Sequence, residues 1–309
     1  MSTLFGIIAP VFALITLGAC AMRARFLDAA ALRGMTDFVF YLAMPSLLFS
    51  SIARAPELRL IDVAGSFIGG AFLLFFLAVL LARLVFRVRL AQASMFGLNS
   101  VFGNTVMLGI PIVDAAYGPE GVANLLAVIA FHSGLLLPMA TILIEADPAS
   151  GGGRGTLGVL RAALPGIARN PVVVTIAFAF AWRLTGFGIP APALRFFMLL
   201  GAAGPPMALF CLGASLPRPT GWHDLREIGL AAIFKLVAMP AIVAVLAHLA
   251  GVTGVAYAVV VIASAMPTGA NAFLLARRFH TMAEASASTV VVSTALSLVT
   301  LAIVLGLVK

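Results

Sequence analysis

The sequence predicts an all-α protein embedded in a membrane, on the strength of its charge content and its apolar runs. Of its 309 residues, 62% are hydrophobic and only 10% are charged, whereas an average soluble domain carries about 25% charged residues. A chain with so few charged groups cannot cover the surface of a soluble fold. The apolar residues also come in runs of about 20, the length of helix that crosses a hydrocarbon core.

The apolar runs predict ten transmembrane helices joined by short connections. The longest connection, 146–169, is rich in glycine and separates a first five-helix unit, 1–145, from a second, 170–309. Both cysteines, Cys20 and Cys211, lie within apolar runs, so no disulfide framework is expected. The predicted spans are approximately 4–22, 34–53, 61–82, 92–117, 121–145, 170–186, 192–216, 227–249, 254–276 and 285–308.

The basic residues predict the orientation of these helices. Thirteen of the 19 lie in odd-numbered connections, whereas five lie in even-numbered connections and at the C-terminus. Because cytoplasmic loops carry the excess of Lys and Arg, the linker is predicted to be cytoplasmic and both termini to lie outside. The net charge of +8 does not indicate nucleic-acid binding, since the basic residues are scattered between apolar runs without a basic stripe.

The two halves of the chain repeat each other. A shift of about 164 residues lays span 1 on span 6, span 3 on span 8 and span 5 on span 10, and it places Ser100 on Ser264. Five helices per repeat is an odd number, so the second copy must enter the membrane from the opposite side. Inverted repeats of this kind are typical of secondary transporters, which bind substrate where discontinuous helices meet.

Spans 4 and 9 are the predicted discontinuous helices. The segments 102–111 and 264–271 combine Gly and Pro with amide and hydroxyl side chains. If the two breaks cross, half-helix N-termini converge on one point and favour a carboxylate there. The alternative is a pair of ordinary proline kinks with polar caps. The candidate substrate-binding residues are Asn104, Thr105, Pro111, Pro267, Thr268 and Asn271.

Three ionisable residues inside spans are candidates for coupling or charge compensation. Lys235 could offset the charge of an anion, couple to protons or hold a broken helix end. His132 could titrate near neutral pH or serve only in packing. Asp114 could bind a proton or cation, or lie at the membrane interface. No metal-ligand cluster or nucleophile motif appears, so neither an enzyme, nor a metal, nor a cofactor is predicted.

Five segments carry motifs that are specific when taken together, and they cover nearly the whole chain. They are Asn99-Ser100 through Gly109-Ile110-Pro111, Ala265 to Gly269 with the following Phe273 and Ala276-Arg277, Lys235 five positions before Pro240, Phe38 to Ala53 around Pro45, and Met207 to Gly213. These segments resemble the auxin efflux carriers, whose bacterial members include malonate and other organic-acid permeases.

The resemblance implies two inverted five-helix repeats, an architecture shared with sodium/proton antiporters and bile-acid symporters. It also implies an elevator-type mechanism, a homodimer, and a substrate anion beside the crossover of helices 4 and 9. Two departures favour a small bacterial acid such as malonate over auxin itself. The connection between helices 5 and 6 has about 24 residues where long plant carriers have an extensive loop, and Gly103 stands where the plant crossover has a proline.

The usage of 17 arginines against two lysines fits a GC-rich bacterial genome. A bacterial inner membrane is therefore expected, and the distribution of basic residues places both termini on its periplasmic side. The coupling ion, H⁺ or Na⁺, stays open at this point. The competing interpretation is a cation/proton antiporter or sodium-coupled symporter of the same architecture. Cation sites need carboxylates, and the predicted crossover offers amides and hydroxyls with Asp114 as the one carboxylate nearby.

Overall fold

A computed structural model describes residues 2–54, 60–147, 171–216 and 225–308, together with Gly158. Within these ranges the chain is helical and forms no β-sheet, and a single antiparallel bridge joins Gly103 to Thr268. The prediction of an all-α protein is confirmed for this part of the chain. The predicted linker 146–169 lies almost entirely outside the described residues.

The described residues form α-helices of nine to 36 residues and four short π-helical segments. In chain order the α-helices are α1 (Ser2–Arg23), α2 (Ala29–Phe38), α3 (Met44–Arg54), α4 (Leu60–Leu81), α5 (Leu90–Val101), α6 (Ile110–Glu145), α7 (Pro171–Leu184), α8 (Ala191–Ala202), α9 (Gly204–Ser215), α10 (Leu225–Ile233), α11 (Met239–Leu249), α12 (Gly254–Ser264), α13 (Ala270–Arg278) and α14 (Ala283–Leu307). The π-helical segments are Val39–Ala43, Ala82–Phe86, Thr105–Gly109 and Phe234–Ala238.

Six helical segments of the described chain are long and apolar enough to cross a membrane. One of them, Thr105–Glu145, has 41 residues, or about 60 Å at 1.5 Å per residue, twice the thickness of a hydrocarbon core. It turns at Gly118, whose φ of 60° and ψ of −153° are accessible only to glycine. The six are Ala29–Ile52, Ile61–Phe86, Thr105–Glu145, Ala191–Ser215, Leu225–Leu249 and Ala283–Leu307, and shorter apolar helices are Ala9–Arg23, Val173–Leu184 and Gly254–Ser264.

Three of the π-helical segments precede a proline at the same distance. Pro45, Pro111 and Pro240 are each the second residue of the α-helix that follows such a segment. A proline ring clashes with the carbonyl four residues earlier and cannot donate to it. The preceding turn therefore widens, and in each case the residue before the proline donates its N–H to the carbonyl five residues back.

The helices pack in two groups. In the first, α1 lies along α9, and α3 packs against α7 and α8. In the second, α4 contacts α5, α6 and α11, α12 contacts α6 and α11, and α14 contacts α10 and α13. The groups meet where α9 contacts the segment Thr105–Gly109, where α3 contacts α6, and where α1 contacts α6 and α14.

Two glycines allow α1 and α9 to touch through their backbones. A Cβ atom added to Gly213 would lie 1.8 Å from the carbonyl oxygen of Ile15, and one added to Gly18 would lie 1.9 Å from that of Phe210. Small residues at helix contacts let main chains approach closely inside membranes. The approach of α1 to α9 is thus fixed by the absence of side chains at these two positions.

Candidate functional site

The interruptions of spans 4 and 9, residues 102–104 and 265–269, pass each other and are joined by backbone hydrogen bonds. This pair of segments is called the crossing below. Between α5 and the segment Thr105–Gly109 the chain is extended, and it runs antiparallel to the chain between α12 and α13. The Asn104 N–H donates to the Pro267 carbonyl at 2.8 Å, and the Gly269 N–H donates to the Phe102 carbonyl at 2.9 Å. Backbone groups freed by each break are therefore satisfied by the other, as an apolar interior requires.

The crossing is close because two of its residues lack side chains. A Cβ atom on Gly269 would lie 3.1 Å from the Phe102 ring and 3.2 Å from the Gly103 carbonyl oxygen. A Cβ atom on Gly103 would lie 3.3 Å from Cε of Lys235. All three distances are shorter than ordinary van der Waals contact, so larger residues would push the two segments or the lysine away.

Thr268 anchors the crossing to the neighbouring helices. Its side chain is 1% exposed. Its hydroxyl donates to the Asn99 carbonyl at 2.8 Å, and its N–H donates to the Ser293 hydroxyl at 3.0 Å. Asn99 in turn donates from Nδ2 to the Ser286 hydroxyl at 2.9 Å. Thr268 therefore ties the crossing to α5 and α14, and its proton is already used within the protein.

Lys235 reaches the crossing from the π-helical segment before α11. Its side chain is 0% exposed, and its ammonium donates to the carbonyl oxygen of Ser264, the last residue of α12. A cation at a helix C-terminus interacts favourably with the partial negative charge there. The interpretation of Lys235 as a tie for a broken helix end is thus supported, and its ammonium also lies beside Gly103.

His132 contacts the backbone of the same glycine. Its Nε2 accepts the Gly103 N–H at 3.1 Å, so that nitrogen carries no proton in this arrangement. The imidazole ring lies 4.2 Å from the Phe102 ring and 5.5 Å from the Phe67 ring, measured between centroids. His132 therefore supports the backbone of the crossing and packs between aromatic side chains.

Asn104 begins the segment that leads into α6. Its Oδ1 accepts the Met107 N–H at 3.2 Å, which caps the segment and leaves the amide N–H₂ group to donate elsewhere. The side chain is half-buried, whereas that of Asn271, at the start of α13, is exposed. Both asparagines thus lie at helix N-termini beside the crossing.

The other predicted residues lie along the same helices. Thr105, Pro111 and Pro267 are buried, the first two in the helical path that leads from Asn104. Asp114 lies one turn beyond Pro111, is half-buried and is engaged by another group. The crossing therefore brings Thr268, Lys235 and His132 together around Gly103, while Asp114 belongs to the neighbouring helix.

The electrostatic character of the crossing is positive. The segment Thr105–Gly109 and α13 both begin there, and the first N–H groups of a helix carry partial positive charge. The opposite charge, at the end of α12, is covered by the Lys235 ammonium. An arrangement of this kind favours an anion.

A crossing of two interrupted helices within a helical membrane protein is typical of membrane transporters. Comparison with known proteins supports the same class. The chain belongs to the family described as "Membrane transport protein", which matches residues 3–152 and 153–305. It is a transporter and not an enzyme.

Individual relatives extend this assignment. The chain is 27% identical to the "Putative malonate transporter" of Rhizobium meliloti (strain 1021) over its whole length and 97% of that protein. It is 25% identical to an uncharacterized transporter of Escherichia coli (strain K12), over 95% of this chain and 94% of the relative. Auxin efflux carrier component 1 of Arabidopsis thaliana is 32% identical over 36% of this chain and 19% of its own length. The resemblance to the auxin efflux carriers is confirmed.

Proposed function

We propose that this protein is a secondary transporter that binds a small organic anion beside the crossing. The observation that carries the proposal is the meeting of two helix N-termini and the Lys235 ammonium around Gly103. A carboxylate would accept hydrogen bonds from free N–H groups and from the amide of Asn104. The name of the Rhizobium meliloti relative favours malonate as the first substrate to examine.

The chemistry of the crossing weighs against a cation as the transported species. Its side chains are an amide, a hydroxyl, an imidazole and an ammonium, contributed by Asn104, Thr268, His132 and Lys235. A site for Na⁺ or H⁺ exchange needs negative charge, and Asp114 lies one turn beyond Pro111 on the neighbouring helix. The antiporter interpretation therefore has no support among the contacts at this site.

The proposal includes ten transmembrane helices in two inverted repeats, 1–145 and 170–309, with 146–169 as a cytoplasmic linker. It is supported by the equivalent positions of the two breaks, after Val101 and after Ser264. An elevator-type movement is supported by the division of the helices into two groups. The group around the crossing would move against the group that contains α1 and α9, which would also form the homodimer contact in a bacterial inner membrane.

Uptake into proteoliposomes tests the proposed function. We expect protein reconstituted from detergent to accumulate radiolabelled malonate above empty liposomes, and unlabelled dicarboxylates to compete better than neutral amides of the same size. A positive site selects charge before shape, which is the reason for this order. Uptake that is equal in protein-free liposomes, or competition by neutral amides alone, would contradict an anion site.

Cysteine labelling tests the predicted orientation. In a background with Cys20 and Cys211 replaced by serine, Gly153→Cys should react with an impermeant maleimide only after the cytoplasmic side is opened. Position 153 lies outside the described residues, so its side is predicted from charge alone. Thr185→Cys, in the exposed turn after α7, is the matched control and should react in intact cells. The reverse pattern would overturn the orientation.

A further inference from the structure

The C-terminal end of α12 lies inside the protein, where its carbonyl groups need partners. The last carbonyls of a helix have no partner within the helix. Those of Val261 and Ile262 accept the N–H of Ala265, and that of Ala263 accepts the N–H of Met266. The remaining carbonyl, on the fully buried Ser264, accepts the ammonium of Lys235 instead of a backbone group.

A helix end of this type is a place where transporters bind a mobile cation. In discontinuous transporter helices, free carbonyls at half-helix C-termini coordinate Na⁺ or H⁺ while the N-termini face an anionic substrate. Here the carbonyl of Ser264 is reached by a side chain from a neighbouring helix. The lysine has room because Gly103 has no side chain, since a Cβ there would lie 3.3 Å from Cε of Lys235, closer than ordinary van der Waals contact.

The surroundings of the ammonium show that its charge is not neutralised by a carboxylate. Within the described ranges, Lys235 bonds to the Ser264 carbonyl and forms no ion pair with an acidic side chain. His132, whose Nε2 accepts the Gly103 N–H, adds no negative charge beside the ammonium. Within the described residues, the ammonium of Lys235 is therefore held by the Ser264 carbonyl and by no acidic side chain.

We propose that the Lys235 ammonium is a built-in cation, which occupies the position where a coupling Na⁺ would otherwise bind. Anion transport then proceeds without Na⁺, because the charge that a bound sodium would supply is covalently attached to the protein. The statement about transport rests on the proposed function, whereas the statement about occupancy concerns the folded protein alone. Removal of the amine should leave a site that free cations can fill.

The first test measures the melting temperature of the purified, unmodified protein in detergent. Samples in sodium chloride and in choline chloride of equal ionic strength should melt at the same temperature, because the position is already filled. A ligand that binds only the folded state raises this temperature. A sodium-specific increase of more than about 2 °C would overturn the proposal. Such an increase requires a sodium concentration well above the dissociation constant of a sodium site.

The second test removes the Lys235 ammonium from its position beside the Ser264 carbonyl. Lys235→Ala should melt at a lower temperature than the unmodified protein, and ethylammonium chloride should raise it by about 2–4 °C when present at several times its dissociation constant. Tetramethylammonium, which cannot donate a hydrogen bond to the Ser264 carbonyl, should have no effect. Folded Lys235→Ala protein that fails to respond to ethylammonium or sodium would contradict a cation position.

Met239→Ala is the matched control for this experiment. Met239 is a fully buried side chain of α11, one turn after Lys235, and its removal leaves a cavity lined by apolar groups. Ethylammonium should not stabilise that variant, because an ammonium gains nothing in an apolar cavity. Equal stabilisation of both variants would show a general solvent effect and would overturn the proposal.

Transport measurements distinguish the Lys235 proposal from the proposed function. Malonate uptake by proteoliposomes should be unchanged, within twofold, when choline replaces sodium on both sides. A requirement for sodium would contradict the built-in cation while supporting the proposed function. Absence of malonate uptake in both buffers would contradict malonate as the substrate, and the melting comparison would then decide the Lys235 proposal by itself.

Discussion

Gly213→Ala should destabilise the protein by about 3 kcal/mol, at the upper end of the range for overpacked positions. The added Cβ would lie 1.8 Å from the Ile15 carbonyl oxygen, a distance that no side-chain rotation can relieve because the obstacle is main chain. The whole of α1 must therefore move away from α9. We expect a fall in melting temperature of about 6–12 °C in detergent, at about 2–4 °C per kcal/mol. Gly18→Ala, 1.9 Å from the Phe210 oxygen, should behave in the same way.

Two other glycines provide the control. Gly65 in α4 and Gly229 in α10 have no heavy atom within 4 Å of an added Cβ, so alanine there meets open space. Because alanine favours the helix over glycine by roughly 0.5–1 kcal/mol, Gly65→Ala and Gly229→Ala should leave the melting temperature unchanged or raise it. A similar melting temperature for Gly213→Ala and Gly229→Ala would show that the contact between α1 and α9 is not close.

Asn104→Asp should lower the affinity for the transported anion about 1,000-fold. The exchange keeps the cap of the following segment, because aspartate and asparagine are equivalent at helix N-caps and Oδ1 still accepts the Met107 N–H. It removes the amide donor and places a negative charge beside the anion. Two like charges ~4 Å apart repel by about 4 kcal/mol at an effective dielectric constant of 20, which is about three decades of affinity.

Asn104→Ala removes the amide donor without adding a charge, so it separates the two effects on affinity. Loss of one hydrogen bond to a charged group should weaken binding by about 1.5–3 kcal/mol, or roughly ten- to a hundredfold. Asn271→Ala should have an effect of the same order, because its exposed side chain lies at the start of α13 beside the crossing. Competition of unlabelled malonate against uptake measures these affinities. Stronger binding by Asn104→Asp would favour a transported cation, and equal affinity in all variants would move the site away from the crossing.

The sequence was sufficient to predict the helical class and the two interruptions, and physical reasons explain both. Apolar runs without charged residues can satisfy their backbone only as helices in a membrane, and Gly or Pro within such a run marks a break. The pairing of the two breaks is a contact between residues 103 and 268. Its register depends on how distant helices pack, which the local pattern does not contain.

The roles of individual polar residues were harder to predict than their positions. Lys235 was open to three interpretations, and its bond to the Ser264 carbonyl became visible only in three dimensions. Ser286 and Ser293 were missed as partners of the crossing, although their spacing of seven residues places them on one face of α14. Likewise, nothing local distinguishes Gly18 and Gly213 from the other glycines of the 29 in the chain.

The two hydrogen bonds of the crossing have a consequence for how its sequence can vary. Both are formed by main-chain atoms, with Asn104 and Gly269 as donors, so no exchange of side chains deletes either bond. Only proline at one of those two places removes a donor, whereas residue 103 donates to His132 and lies outside the pair. Residue 103 can therefore change without deleting either bond of the pair, but a side chain there crowds Lys235 and so alters the charge beside the crossing.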